Sequence, residues 1–430
     1  FRRLGNGRVR LGKSTSNLFR QRTDSTGGRL DVSDFNNVIE VNSEQQWAEV
    51  EGMTPYVALS EATLAENAMP AVVPQLKSIT IGGAVSGVGI ESSSFRYGLP
   101  HETVLEMDVL TGDGRVLTCT PSNEFSDLFF GLPNSYGTLG YALRLKTKTI
   151  PTRSFVELKH QRIDNPSRYF EVITERCDSD IDFVDGSVFA IDEHYITTGR
   201  FVDSAPFTSD YTYLNIYYRS IREKSTDYLS AYDYLWRWDT DWFWCSKNLH
   251  MQNPVARILM GRKRLGSITY AKVMRWNFKW NITGTLNRIA GYYPETVIQD
   301  IDIPVDNAAT FLAFLHREVG ITPIWICPIR AYNRSARYPI YPMHPDTTYI
   351  NFGFWDGVKS REPHPPGYRN KKIEHMTTEL GGIKSLYSDS YYSEEQFWRH
   401  YNEPVYRALK AKYDPDNRLN DLYNKCVMKQ

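Results

Sequence analysis

The sequence predicts an α+β chain of two domains, and three observations point there. At 430 residues it exceeds what one ordinary hydrophobic core organises. Its first third alternates short β-patterned runs with turns and one helix, closing at Pro151. From about residue 152 to 345 the pattern changes to β hairpins interleaved with helices.

In chain order, Val38–Val41 and Trp47–Val50 read as strands. Thr54-Pro55 opens a helix, with Thr54 as cap and Pro55 in the first turn. A glycine-rich passage runs from Gly82 to Gly98. Val104–Leu110 and Val116–Cys119 form a hairpin around Gly112-Asp113-Gly114. A short helix near Phe125–Phe130 and a strand near Tyr141–Ile150 complete the first unit. In the second unit Asp306 is the expected N-cap of a helix with an apolar stripe through Phe311, Leu312 and Leu315 and a stop at Gly320. A strand at Thr322–Cys327 follows, and Ser393 with Gln396 forms a capping box before Phe397-Trp398.

The 41% hydrophobic and 23% charged fractions are those of a globular chain. Aromatic residues reach 13%, which suggests a large apolar cavity or an interfacial surface. Zero formal charge gives no reason to expect nucleic acid as a partner. Cys119, Cys177, Cys245, Cys327 and Cys426 form no CxxC pair, which argues against a zinc or other metal site and against a disulfide framework, and fits a reducing cytoplasm. No apolar run reaches the roughly 18 residues of a membrane span. No signal peptide is visible after Phe1.

The passage from Thr80 to Gly98 is the most informative. Glycines at this density allow close approach of backbone to ligand, and their amides can point at phosphate oxygens. No GK[ST] follows, so it is not a Walker loop, and the acidic residue of a Rossmann unit is missing. A glycine-rich turn packed inside a β domain is the plainer alternative. Gly12-Lys13-Ser14-Thr15-Ser16-Asn17 is a second small-residue loop, and Gly137-Thr138-Leu139-Gly140 lies downstream. Two such loops with that closing run resemble the PCMH-type FAD-binding domain of the vanillyl-alcohol-oxidase superfamily.

Gly87-Val88-Gly89-Ile90-Glu91-Ser92-Ser93-Ser94 with Tyr97-Gly98-Leu99 narrows the resemblance to the sterol Δ24-reductase (Diminuto/seladin-like) family. Cys119-Thr120-Pro121-Ser122, Pro323–Pro328 and Leu386–Tyr391 continue it in order along the chain. The members of that family carry an N-terminal membrane helix that is absent here, and residues 200–290 match poorly. Soluble bacterial relatives that reduce methylene-branched acyl chains are the nearer likeness.

The resemblance implies an FAD-binding domain at 1–151, an α/β cap that selects substrate at 152–384, and a segment at 385–430 returning to the first domain. It implies FAD as cofactor and NADPH as electron source. Covalent attachment in this superfamily uses His or Cys, often in the first loop; Lys13–Asn17 has neither, so noncovalent FAD is expected. His101 is an alternative attachment point or a structural residue. The expected cofactor contacts are Gly12, Lys13, Ser14, Thr15, Ser16 and Asn17; then Gly82, Gly83, Gly87, Gly89, Ile90, Glu91, Ser92, Ser93 and Gly98; then Thr138 and Gly140.

The implied activity is reduction of an isolated C=C bond in a lipid, with a fatty-acyl methylene branch placed ahead of a sterol side chain. The rivals are an alcohol or aldonolactone oxidase and a non-catalytic flavin and lipid carrier serving an acyl-chain methyltransferase. An isolated alkene has no carbonyl to polarise it, so a general acid must protonate it in a dry cavity. Glu91, Tyr387 and Asp389 are the candidates, against an Arg-paired loop carboxylate for Glu91 and an ordinary strand for the other two. His344 is a proton relay or a plain turn residue. The tract from Tyr232 to Trp244 is either cap core or a lip admitting an acyl chain at a membrane surface. Arg257, Arg262, Lys263, Arg264 and Lys272 would suit anionic headgroups, or form a solvated basic face. The expected location is cytoplasmic, with peripheral membrane contact.

Overall fold

A computed structural model describes the chain apart from residues 2, 3, 5, 6, 14–18, 20–26, 281 and 430. Its first sheet runs in the order Val38–Asn42, Trp47–Glu51, Gly140–Pro151, Val104–Thr111 and Val116–Cys119, all antiparallel. Ala68–Pro70 also pairs with the central strand. Leu145, Thr147 and Thr149 of that strand point inward, while Arg144 on the other face gathers Glu49, Glu106 and Asp108 from its neighbours.

The second sheet has eight strands, in the order Thr226–Ser230, Phe155–Ile163, Glu193–Val202, Phe183–Ala190, Ile324–Ile329, Tyr349–Ser360, Tyr293–Pro304 and Ile383–Lys384. Along Tyr293–Pro304 the two-residue period separates two environments. Val297, Ile301 and Ile303 pack against Phe311, Leu312 and Ile373 of the helices Val305–Phe314 and Tyr368–Glu379. On that helical side Gln299 donates to Asn370 Oδ1 at 2.6 Å. The even positions Ile298, Asp300 and Asp302 take the opposite face, where Ile298 joins the core shared with the first sheet. Register places Gly353 directly between Asp300 and Trp325 on the neighbouring strands.

After Lys384 the chain returns to the first sheet. Lys410 Nζ donates to the Thr138 carbonyl, Lys412 pairs with Asp127, and Lys425 Nζ donates to the Tyr136 carbonyl. The capping box of Ser393 and Gln396 is present at the start of Glu394–His400. Among the described residues no helix is long and apolar enough to cross a membrane.

Several local expectations change. The first helix is Tyr56–Leu64 with Pro55 at its cap; the Thr54 hydroxyl instead donates to the Asn37 carbonyl. Pro304, not Asp306, caps Val305–Phe314, which leaves Asp306 in the first turn, where a carboxylate suits the helix dipole. The strand expected at Thr322 begins at Ile324 and runs to Ile329. The glycine-rich passage contains two short helices, Ile81–Gly87 and Ser94–Tyr97. Tyr234, Trp236, Trp238, Trp242, Phe243 and Trp244 are all buried, so this tract is core and not a lip. Arg257 is also buried, held by the carbonyls of Tyr213 and Met251, and faces no headgroup.

Candidate functional site

A cavity of about 330 Å³ opens between the two sheets, within the range of small-ligand sites. Its first wall comes from Gly82, Gly83, Gly87, Gly89 and Ile90, with Arg8, Arg10, Lys13 and Lys425 around them. The second wall is the face of the eight-stranded sheet and its covering loop: Trp242, Phe243, Trp325, Trp355, Asp300 and Tyr387. Phe243 and Trp355 lie 4.7 Å apart between ring centroids, and Phe243 and Trp325 5.6 Å. Such packed aromatics exclude water from that side.

The glycines have separate reasons to be glycine. A Cβ on Gly82 would sit 2.6 Å from the Gly52 carbonyl oxygen, so the fold itself demands it. At Gly83 a Cβ would stand 2.8 Å from the Thr80 hydroxyl that caps the helix Ile81–Gly87, with the Lys13 ammonium 3.8 Å away. Gly87 leaves room for the Tyr136 ring.

Other expected contacts lie elsewhere. Gly12 is not in the wall; its N–H donates to the Leu30 carbonyl, and its neighbours Leu11 and Lys13 line the cavity instead. Ser14, Thr15, Ser16 and Asn17 lie outside the described residues. Ser92 and Ser93 are buried behind the wall, bonded to the Tyr234 hydroxyl and the Ala71 carbonyl. Gly98 adopts φ +69° against the Glu102 carboxyl. Thr138 donates to the Ser135 carbonyl, and Gly140 packs on Val109; Tyr136, Gly137 and Tyr141 reach the cavity in their place. His101 is away from this wall, edge-on to Tyr338 at 4.4 Å, and burial pushes its imidazole down to about 3. His344 sits in a turn beside Thr347 and lines only a small separate cleft.

Glu91 is also out of the cavity wall. Its Oε1 accepts from the Ser92 hydroxyl at 2.5 Å and lies 3.2 Å from Arg237 Nη2, which pairs with Asp185 at 2.9 Å. Trp325 Nε1 donates to the same Asp185 oxygen at 3.2 Å, and the guanidinium stacks 4.0 Å over the Tyr234 ring. Burial pushes the Asp185 carboxyl up to about 6 against the pull of Arg237. This triad ties the glycine loop to the second sheet, and a carboxylate so engaged is badly placed to deliver a proton. Asp389 is likewise off the wall, paired with Lys429 at 2.9 Å.

Tyr387 does face the cavity, and its partners include a residue that sequence reasoning missed. Its hydroxyl accepts from Trp355 Nε1 at 2.7 Å and lies beside the Asp300 carboxyl. Burial pushes the phenol well above its ordinary value, with the neighbouring Asp300 adding to it. Asp300 Oδ1 is cut off from solvent and has no hydrogen-bond partner among the described residues. Burial, then the nearby Asp302 carboxylate, push Asp300 up to about 8, against the pull of Tyr387 and Asn351. Asp302 takes hydrogen bonds from Tyr341 and Asn351 at 2.6 and 2.8 Å. Burial and the second carboxyl thus favour the protonated form of Asp300, in a wall otherwise aromatic. Gly353 makes the arrangement possible, because a Cβ there would stand 2.8 Å from Asp300 Oδ1 and 2.6 Å from the Trp355 ring.

A second missed residue is Gln75. It is buried, lines the cavity, and neither amide atom has a partner among the described residues. Arg10 Nε is unmatched in the same way. Buried polar atoms are rarely left so in native proteins, and here they face a shared space. A ligand carrying an anionic diphosphate and an amide-edged ring would satisfy both, and Arg8 and Lys13 line the same wall.

Comparison with known proteins supplies that ligand. The FAD binding domain family matches residues 7–120, the stretch holding Arg8, Lys13, Gln75 and the glycine loop. The chain is 26% identical over 415 residues to Delta(24)-sterol reductase of Rattus norvegicus, covering 90% of this chain and 76% of that protein. The chain carries an FAD-binding domain and is similar to the Delta(24)-sterol reductases along about nine-tenths of its length. The Homo sapiens and Arabidopsis thaliana Delta(24)-sterol reductases are 26% and 25% identical over 414 and 434 residues, covering 90% and 92% of this chain and 76% of each. Cytokinin dehydrogenase 7 of Oryza sativa subsp. japonica is 30% identical over 170 residues, 38% of this chain and 30% of that protein.

The residues present fit FAD. Gln75→Leu tests the fit without touching the acid. Removing two unmatched amide atoms is expected to leave thermal stability unchanged or slightly raised, and to weaken FAD binding by about 3- to 10-fold per lost hydrogen bond. Titration of the FAD-stripped protein checks it, and unchanged affinity would remove Gln75 from the site.

Proposed function

We propose that this FAD-binding oxidoreductase reduces an isolated carbon–carbon double bond of a lipid, with NADPH as electron source. The observation that carries the reading is Asp300, a carboxyl that lines the aromatic cavity with a buried, unmatched Oδ1 and whose protonated form burial favours. An unactivated alkene needs a donor that still holds its proton at the working pH and is a stronger acid than a phenol, and a buried carboxyl meets both conditions. Asp300 gives its proton to one alkene carbon and is left as carboxylate. The Tyr387 hydroxyl, held by Trp355 beside Asp300, is placed to donate a hydrogen bond to that charge. Trp242, Phe243, Trp325 and Trp355 keep water from the carbon that becomes electron-poor. Bound FAD would supply the hydride that this second carbon takes.

The relatives named Delta(24)-sterol reductase favour a sterol side chain as the alkene over the acyl methylene branch that sequence reasoning placed first. Anaerobic incubation of the FAD-loaded protein with NADPH and each lipid separates them by mass. A gain of two hydrogens in the Δ24 sterol supports the reading, and a gain only in a methylene-branched phospholipid moves the substrate to the acyl chain. Peroxide formation from alcohols with no response to NADPH would replace the reductase by an oxidase. FAD binding without turnover until an acyl-chain methyltransferase is added would make the chain a carrier.

A further inference from the structure

From Trp242 to Pro294 the sequence contains no Asp or Glu, yet it holds nine Lys or Arg in a chain of zero formal charge. Lys247 pairs with Asp356, Arg257 is buried and Arg262 pairs with Asp210. Lys263, Arg264, Lys272, Arg275 and Arg288 are exposed, and no acid of their own segment offsets them. Seven of the seventeen exposed large hydrophobics among the described residues fall in the same stretch, between Val255 and Ile289.

Their spacing puts them on outward faces. In the helix Pro254–Met260, Val255, Ile258 and Leu259 stand at the three- and four-residue intervals of one face, and Leu259 is 81% exposed. Along Ser267–Trp280, Ile268, Lys272, Trp276 and Trp280 recur every four residues, with Trp280 63% exposed. Ile289, 80% exposed, ends the next helix, Ile282–Ile289. Surface helices ordinarily turn the apolar stripe inward and the charges outward. Here both point out together. A soluble polyanion would use the charges and leave the tryptophans and leucine unexplained, whereas a bilayer uses both.

We propose that residues 254–289 dock the protein on the surface of a bilayer containing anionic lipid, with Leu259, Trp276, Trp280 and Ile289 entering the interface and Lys263, Arg264 and Lys272 above the headgroups. The docked surface adjoins the site, because Tyr270 of the helix Ser267–Trp280 stacks on Trp242 of the cavity wall at 6.0 Å. A lipid substrate then has a route from the bilayer that avoids water. The docking rests on exposure and charge and is read without turnover, so its failure would leave the reductase reading standing.

The test is sedimentation of the FAD-loaded protein with vesicles at about 0.1 M salt, where exposed charges are still felt over roughly 10 Å. Binding is expected to vesicles of phosphatidylcholine with about one-third phosphatidylglycerol, and to be weak with phosphatidylcholine alone. The triple variant Lys263→Glu, Arg264→Glu, Lys272→Glu is expected to lower partition by at least about a hundredfold, at about fivefold per charge lost and more for reversal. Leu259→Glu with Ile289→Glu is expected to lower it on the order of tenfold or more. Both variants change exposed side chains, so unchanged melting and FAD content serve as controls. Partition that neither variant alters would overturn the proposal. So would a dimer in sedimentation velocity that either variant dissociates, or binding to nucleic acid in place of vesicles.

Discussion

Asp300→Asn is expected to lower turnover by about two to four orders of magnitude, the usual loss for a general acid, with FAD content and fold retained. Asn keeps the shape of the carboxyl and its neutrality but has no proton of useful acidity. The sign of the stability change separates chemistry from structure. The folded protein holds Asp300 protonated up to about 8, while an unfolded chain ionises it near its ordinary value of 3.8. The native value is raised, so the contribution to stability is full below the unfolded value and is lost as pH rises through the folded one. Asp300→Asn removes that dependence. Melting curves should show a variant at least as stable as wild type at pH 7, with the gap widening toward pH 9. A variant that melts far lower than wild type would mean that Asp300 serves the fold.

Arg237→Met is expected to destabilise the protein by about 3–5 kcal/mol, the range for breaking a buried pair from one side. The substitution leaves Glu91 and Asp185 facing each other without their shared cation, in a place where neither meets solvent. Chemical denaturation at pH 7 measures it. The loss should shrink toward pH 5, because Asp185 is already pushed up to about 6 and its protonation relieves the repulsion. Glu91→Gln, by contrast, should keep turnover within a few-fold, since Glu91 lies behind the cavity wall. A large loss of turnover with full stability would return Glu91 to the role of acid.

The contrast between Glu91 and Asp300 shows which parts of this molecule a linear reading reaches. The hairpin of Val104–Thr111 with Val116–Cys119, the capping box at Ser393 and the cavity-lining Gly82, Gly83, Gly87 and Gly89 are local patterns, and each is legible within a few residues. Asp300 and Asp302 alternate with Ile301 and Ile303, which reads as a strand with a solvated polar face. The first unit covers that face, and only the covering turns the acids into buried groups. Arg237 pairs with a residue 146 positions away, so no local window contains the triad. Gln75 sits among Pro74 and Leu76 with nothing in its neighbours to mark it. The aromatic tract is ambiguous for a related reason: composition shows that Trp and Tyr are concentrated there, but only burial decides between core and surface, and the exposed tryptophans are Trp276 and Trp280 instead.

The most direct measurement is the pH profile of a single reductive turnover, with the reduced FAD-loaded protein mixed anaerobically with the lipid alkene. A proton held by Asp300 predicts a rate constant that is level from pH 6 to 7 and falls about tenfold per unit above roughly pH 8, with that limb absent in Asp300→Asn. A wild-type rate that stays level to pH 10, or an Asp300→Asn variant with the same profile and amplitude, would contradict the account.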